Sequence, residues 1–456
     1  MCIYPIILAA GQGTRMNSTL PKVLHPIGGK SMLEHVIDSC RKLEIKKMAI
    51  VYGHGGDLVR ECIDANDVDW VLQREQKGTG HAVSQAEAFI DDSVIVIIAT
   101  GDVPLIRAET LKKLASKLEG AVLSVLTTHQ SDPFGYGRIV RNSKGKIQSI
   151  VEEKDTNSEQ RKITEVNTGF IAARGKDIKR WLKQVKPNNA QGEYYLTDCI
   201  ALAVEEGGVV EAEICNNPME VQGINDRKQQ AELERVYQKT QAEYLMLAGA
   251  TLLDPKRVDV RGSLKIGKDV LIDINTIFVG NVVLGNNVTI ESGCVIKNTT
   301  IDSNTIIKAN SVVELATIGK NCDVGPFARI RPETVLKARS KVGNFVEIKK
   351  SIVGEGSKVS HLSYIGDTEM GRNVNIGAGT ITCNYDGANK FQTTIGDDVF
   401  VGSDTQLVAP VTLGAGASIG AGSTITKNTP AEELTLSRSK QITIKGWKKP
   451  QKKGSL

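Results

Sequence analysis

From Ile266 to about Lys427 the chain repeats every six residues. An apolar residue, often followed by glycine, recurs in three unbroken runs. They are Ile266, Ile272, Phe278, Leu284, Ile290 and Ile296; Ile318, Val324, Ile330, Leu336, Val342 and Ile348; and Ile395, Val401, Leu407, Leu413, Ile419 and Ile425. A period of six is neither that of a helix nor that of a half-buried strand. It marks a hexapeptide β-helix, in which each unit makes a short strand and a corner, and three units close a triangular coil. The apolar residue points inward, and the small residue after it lets the chain turn where a Cβ would clash. A β-sandwich would space its turn signals more widely. About 160 residues predict roughly nine coils, a prism ~43 Å long at ordinary strand spacing. The phase slips between Ile296 and Ile318 and again after Ile348, and a longer interruption is expected from Gly366 to Thr394. Solenoids eject insertions as external loops, often on the binding face.

A chain of 456 residues exceeds one ordinary core, so two or three domains are expected. The balance of 57 Lys+Arg against 52 Asp+Glu is too weakly basic to indicate nucleic acid, and much of the excess lies between Lys445 and Lys453. Eight scattered cysteines contain no Cys-x-x-Cys pair, which argues against zinc or a disulfide framework and for a cytoplasmic protein. The apolar stretch Ile3–Ala10 is too short to span a bilayer and has no basic leader, so no membrane insertion is expected.

Residues 1–225 alternate short β runs (Ile3–Leu8, Met48–Tyr52, Val94–Ala99, Val122–Thr127, Val166–Ala172) with helical patterns such as Ser31–Leu43 and Ala108–Leu118. The alternation predicts an α/β domain on a mostly parallel sheet, with ligands at the carboxyl ends of its strands. Asp226–Ala248 holds no Pro or Gly and predicts a linker helix over 226–249, roughly 35 Å long. Leu233, Val236, Tyr237, Tyr244 and Leu245 would form its apolar stripe. The third segment is then 250–456, ending in a basic tail.

The first strand runs into Leu8-Ala9-Ala10-Gly11-Gln12-Gly13-Thr14-Arg15-Met16, followed by Pro21-Lys22. A glycine-rich turn after a strand brings backbone N–H groups up to phosphates, and Arg15 and Lys22 add positive charge. The string lacks the Walker lysine spacing and the dinucleotide fingerprint. As a whole it resembles the signature of the sugar-1-phosphate nucleotidyltransferases.

That resemblance implies a nucleotide held by Leu8, Ala9, Ala10, Gly11, Arg15 and Lys22, with Arg15 catalytic. Gln73, Gly78 and Thr79 would read a uracil base. Thr100, Gly101 and Asp102 end a buried strand, where an acidic residue points into the ligand crevice; a helix cap is the plainer role for Asp102. One carboxylate plus phosphates suffices for Mg²⁺, and the resemblance pairs Asp102 with Asn225 as its ligands. It places Gly137, Glu152 and Asn167 on an amino sugar. Gln191–Asp198 also fits the family without a definite role. In the implied chemistry a sugar 1-phosphate oxygen attacks the α-phosphorus of UTP and pyrophosphate leaves. The nucleophile is already an anion, so the protein positions groups and neutralises charge.

Hexapeptide prisms serve as acyltransferases, scaffolds or regulatory tails, and the repeat alone does not choose. The residues outside it do. Arg329, Arg331 and Lys349 put cations on outer positions, His361 lies in Val359-Ser360-His361-Leu362-Ser363-Tyr364, and Asn384-Tyr385-Asp386-Gly387 with Lys390 forms an extruded loop. Acetyl transfer to an amine needs a neutral amine, and histidine suits a base near neutral pH. Across both halves the chain resembles the family of bifunctional N-acetylglucosamine-1-phosphate uridyltransferases / glucosamine-1-phosphate acetyltransferases.

The resemblance implies a left-handed β-helix with His361 as base. It puts Arg331, Lys349, Tyr364, Asn375 and Lys390 on the phosphorylated sugar, and Ala378, Asn384, Tyr385, Ser403, Ala421 and Arg438 on acetyl-CoA, the co-substrate. It further implies Mg²⁺, a homotrimer with acetyl-transfer sites between prisms, and glucosamine 1-phosphate and N-acetylglucosamine 1-phosphate as substrates. The rival readings are a single-activity nucleotidyltransferase with a structural or regulatory β-helix, and a non-catalytic assembly subunit. Coenzyme A release with glucosamine 1-phosphate separates the first from the bifunctional enzyme, and UTP turnover excludes the second.

Overall fold

Val96 and Ile98 are buried on one face of a strand while Ile95, Ile97 and Ala99 are buried on the other, in separate apolar clusters. A strand apolar on both faces belongs at the centre of a parallel sheet covered by helices, and Ile95–Thr100 takes that place. The computed structural model describes residues 2–450 except 54 and 64, together with residue 452. The chain divides into two units between Thr240 and Gln241. In the first, the spatial order is Val210–Ile214, Leu123–His129, Glu165–Arg174, Ile95–Thr100, Ile3–Ala9, Met48–Tyr52, Val68–Leu72. All pairings along this path are parallel except those of Glu165–Arg174, which runs antiparallel to both neighbours. The order reverses around Ile3–Ala9. The chain leaves it for Met48–Tyr52 on one side and returns to Ile95–Thr100 on the other, with Leu8 opposite both Val51 and Thr100. This is a topological switch point, where the crevice of such a sheet opens.

Helix Arg227–Leu247 follows the predicted span to within a residue or two at each end. The expected stripe needs correction. Leu233 and Leu245 are buried, but Tyr244 is exposed, and Gln238 and Ala242 are buried instead. The early turns pack Leu233 and Tyr237 beside Ile27 and Met32, whereas Ala242 and Leu245 join the core of the second unit. The buried residues of the helix therefore belong to separate cores, and a single stripe does not describe them.

In the second unit the predicted inward residues from Ile272 to Ile425 are all buried, with Ile266 packed partly against them. They form a parallel β-helix. One face carries eleven strands, from Thr251–Leu252 to Leu434–Thr435, so the stack begins before Ile266 and reaches ~48 Å at ordinary strand spacing. The slips in phase are not ejected loops. Ile301, Ile307 and Val313 continue the inward row through the first, and Val353, Val359 and Ile365 through the second. Coils there are one residue shorter: Val258 pairs with Thr276, a step of 18, but Val295 pairs with Val312 and Glu347 with Tyr364, steps of 17.

The long interruption also shrinks. Strands Thr368–Met370, Asn375–Ile376 and Ile381–Cys383 lie inside it, and only a short segment around Tyr385–Lys390 is extruded, where Ile381 pairs with Gln406. Corners turn on left-handed residues such as Asn287 and Asn321, three positions after an inward residue. The glycine that follows the inward residue serves stacking instead. A Cβ at Gly285 would stand 2.6 Å from Ser303 N in the next coil.

Candidate active sites

At the switch point a cleft of about 280 Å³ is lined by Leu8, Ala9, Ala10, Gly11, Lys22, Gln73, Gly78, Thr79, Thr100 and Asp102, together with Val23, Gln76, Ala82 and Glu193. Gly101 does not line it, but lies between the lining residues Thr100 and Asp102 and donates its N–H to Leu8 O at 2.9 Å. Two glycines of the first loop are small for different reasons. A Cβ at Gly13 (φ 62°) would strike Lys22 Cβ at 2.5 Å, so Gly13 fixes where Lys22 stands. A Cβ at Gly11 would meet no protein atom within 4 Å, and its absence keeps the cleft open.

Lys22 Nζ lies 2.5 Å from Asp102 Oδ2 and 2.8 Å from Asn225 Oδ1. Two hard oxygens from distant segments thus converge on one cation. Asp102 caps no helix, since the next one starts at Ala108. Among the described residues no group of three or more His, Cys, Asp and Glu side chains could hold a metal. The Thr100 hydroxyl is buried in the cleft wall without a partner.

Gln73 is buried, with Nε2 3.0 Å from His81 Nδ1 and 3.3 Å from Gly78 O. This loop is propped from behind by the segment that the sequence left without a role. Tyr194 N donates to Lys77 O, Gly80 N donates to Tyr194 O, and Leu196 N donates to Thr79 Oγ1. Glu193 reaches the cleft the same way; no local pattern announces it, because a turn 115 residues downstream delivers it.

Gly137, Glu152 and Asn167 also come together. Asn167 N donates to Gly137 O at 2.8 Å, and a Cβ on Gly137 would lie 3.3 Å from both Glu152 carboxylate oxygens. Burial pushes the Glu152 carboxyl above its usual range, against a hydrogen bond from Thr197 that lowers it. Burial, with Asp102 second, raises the Tyr136 phenol. Arg15 is not brought to the cleft wall; it is exposed on the short helical turn Thr14–Met16.

On the prism, register assembles the second constellation. Asn344 pairs with His361. The residue after each column member donates its N–H to the column member one coil back: Leu362 to Asn344 O, Gly379 to His361 O, Asp404 to Ala378 O, and Gly422 to Ser403 O. One edge therefore carries Asn344, His361, Ala378, Ser403 and Ala421 in consecutive coils. Arg438 Nη1 closes the row on Ala421 O at 2.8 Å. His361 is exposed at this edge rather than packed among the aliphatic side chains.

A second column holds the cations. Ile330 pairs with Ile348 and Lys349 with Gly366, so Arg331, Lys349 and Gly366 follow one another up the stack. Arg331 donates to Glu347 Oε1 at 2.7 Å. The Lys349 side chain beside Lys390 holds that amine below the ordinary lysine value, against the nearby Asp367 carboxylate, which raises it. Gly366 has no Cβ because the Tyr364 hydroxyl and Asn384 Nδ2 occupy its space, at 2.4 and 2.8 Å from where one would stand.

Asn384 is buried and donates to Asp367 Oδ2 at 2.5 Å, and Tyr385 bridges back to Lys390 across the extruded turn. Asn375 stands apart on the preceding face, in register with Lys358 and Phe400. Of the basic tail, Lys445, Lys448 and Lys449 are exposed; Lys453 lies outside the described residues.

A glycine-rich loop at the switch point of an α/β sheet, followed by a hexapeptide β-helix with its own polar edge, is the architecture of a transferase built from two units. Comparison with known proteins agrees. Residues 5–164 match the MobA-like NTP transferase domain, 260–339 the GMPPB C-terminal domain, and 392–427 six repeats of the bacterial transferase hexapeptide. The bifunctional protein GlmU of Marinobacter nauticus is 56% identical over 450 residues, 99% of each chain, and the present chain belongs to that family of bifunctional transferases. Among solved structures, a glucose-1-phosphate thymidylyltransferase from Bacillus anthracis aligns with 52% of this chain and 95% of its own (20% identity, TM-score 0.42). A UDP-glucose pyrophosphorylase complexed with UDP-glucose aligns with 53% of this chain and 100% of its own (19% identity, TM-score 0.43). As a member of the family named above, the chain is an enzyme with nucleotidyltransferase and acyltransferase halves that serves UDP-N-acetylglucosamine synthesis.

Proposed function

We propose that the prism acetylates glucosamine 1-phosphate with acetyl-CoA and that the α/β domain then couples the product to UTP through the residues described above. The observation that carries the first half is the single edge shared by His361 and the small residues Ala378, Ser403 and Ala421. A thioester arm lying along that edge would run past these small side chains to the imidazole, with Arg438 at the far end for the coenzyme's phosphates. Arg331, Lys349 and Lys390 suit the sugar phosphate. His361 takes a proton as the amine nitrogen bonds to the thioester carbon. The C–S bond then breaks, and the thiolate leaves with that proton.

In the cleft, Gln73, Gly78 and Thr79 hold the base, and the Gly11 loop and Lys22 hold the phosphates. Gly137, Glu152 and Asn167 hold the sugar, and Arg15 supplies charge from its exposed turn. The Asp102 and Asn225 oxygens, which already meet on one cation, are hard donors of the kind that would hold Mg²⁺. Bound there, the ion would offset phosphate charge. The test is coenzyme A release with glucosamine 1-phosphate; a protein that turns over UTP but releases none has a merely structural prism.

Phe327, Phe345 and Leu362 are exposed, hold left-handed backbone, and stand at one corner, with the two phenyl rings stacked at 5.4 Å. Bulky residues are strained in that conformation. An uncovered apolar ridge on a polar prism suits burial by a second copy, and three copies close a ring. His361 directly precedes Leu362, so a neighbour seated there would stand over the acetyl site. Phe345→Asp is expected to shift the sedimentation coefficient from trimer to monomer and to reduce acetyl transfer with it; an unchanged trimer would rule this corner out. Eight free cysteines suit a reducing, cytoplasmic setting. Among the described residues no helix is long and apolar enough to cross a membrane.

A further inference from the structure

We propose that Asn344 is a positioning residue that fixes the tautomer of His361 and so aims its basic nitrogen; this rests on His361 being the base of acetyl transfer. The two residues end strands Lys341–Asn344 and Lys358–His361, which pair in register, so they occupy one edge in adjacent coils. Each is followed by a left-handed corner residue, Phe345 at φ 54° and Leu362 at φ 48°. His361 Nδ1 lies 2.9 Å from Asn344 Oδ1. Among the described residues that amide is the ring's one hydrogen-bond partner.

A carboxamide oxygen only accepts, so the proton belongs on Nδ1, and Nε2 keeps the lone pair that a base needs. The backbone beneath is tied on both sides. Leu362 N donates to Asn344 O at 3.1 Å, and the Ser363 hydroxyl donates to His361 O at 2.7 Å. Ring and amide are therefore held face to face by the coil spacing itself. Without the amide, the neutral ring divides its proton between both nitrogens, and the form with Nε2–H cannot accept the amine proton. When Nε2 does take that proton, the imidazolium's Nδ1–H already points at the amide dipole.

No sequence motif marks Asn344. It stands 17 residues before the histidine, and only the shortened coil places it underneath.

The experiment compares wild type, Asn344→Ala and Asn344→Asp with ¹⁵N-labelled imidazole, alongside steady-state acetyl transfer. In the wild type the neutral His361 ring should give an N–H resonance at Nδ1 and an unprotonated one at Nε2. Asn344→Ala should move both toward averaged values and lower kcat about 10- to 100-fold, as loss of a partner that orients a histidine does, with KM for both substrates little changed. Asn344→Asp keeps an acceptor and should recover the Nδ1–H form and most of kcat.

An unaltered ¹⁵N pattern or unaltered kcat in Asn344→Ala overturns the proposal. So does an Asn344→Asp variant as slow as the alanine one, because the residue would then be needed only for packing. Failure of the underlying reading is distinguishable: it appears as acetyl transfer persisting in a His361→Ala protein.

Discussion

His361→Ala is expected to lose acetyl transfer to glucosamine 1-phosphate by about 10²- to 10⁴-fold in kcat, the range attributed to a positioned general base. The same protein should couple preformed N-acetylglucosamine 1-phosphate to UTP at the native rate. The imidazole is exposed, and its one partner, the Asn344 amide, is half-exposed as well, so truncation leaves no buried polar group behind and creates no cavity. The prism's stability comes from its stacked interior instead, where Ile348, Val359 and Ile365 are fully buried around this coil. Assaying the two half-reactions separately is enough. Equal loss of both would mean that the sites are not independent; retention of acetyl transfer would move the base elsewhere.

The mirror experiment is Asp102→Ala. Uridylyl transfer should fall by about 10²- to 10³-fold, comparable with removing one preorganised electrostatic group from a site where charge develops, and acetyl transfer should be unaffected. Two effects combine. The cleft loses one of the two oxygens that converge on a cation, and Lys22 loses its closest ion partner. A direct readout accompanies the rates: Mn²⁺ binding to the nucleotide-loaded protein, followed by electron paramagnetic resonance, should weaken in the variant. Undiminished Mn²⁺ binding would remove Asp102 from the metal site, whatever happens to the rate.

What could be read before folding depended on how far apart the cooperating residues are. The inward row was readable because each member sits six residues from the next and each is apolar, so Ile330 and Leu407 announce themselves locally. The shortened coils were not. Two of their corners turn on Leu315 and Lys350, residue types that rarely adopt left-handed backbone and carry no turn signal. The glycine-rich loop after the first strand was readable as a contiguous string. Its props were not, because Tyr194 and Glu193 arrive from the far side of the chain through backbone hydrogen bonds available to any residue type.

The same holds for the edge that carries His361. Ala378, Ser403 and Ala421 are ordinary small residues whose alignment appears only once the steps of 17, 25 and 18 between coils are known. Arg15 is the opposite case. A motif singled it out, yet its side chain stands outside the cleft wall.

Each coil of the β-helix leans only on the one before and the one after, and such stacks fray from their ends. Ala421 and Arg438 sit near the last rungs, while His361 and the cations sit several rungs further in. Heat or a protease nibbling at the carboxyl end would therefore strip the proposed coenzyme berth first and leave the proposed base standing. The catalyst would decline by weakened grip on one reactant long before its chemistry was dismantled.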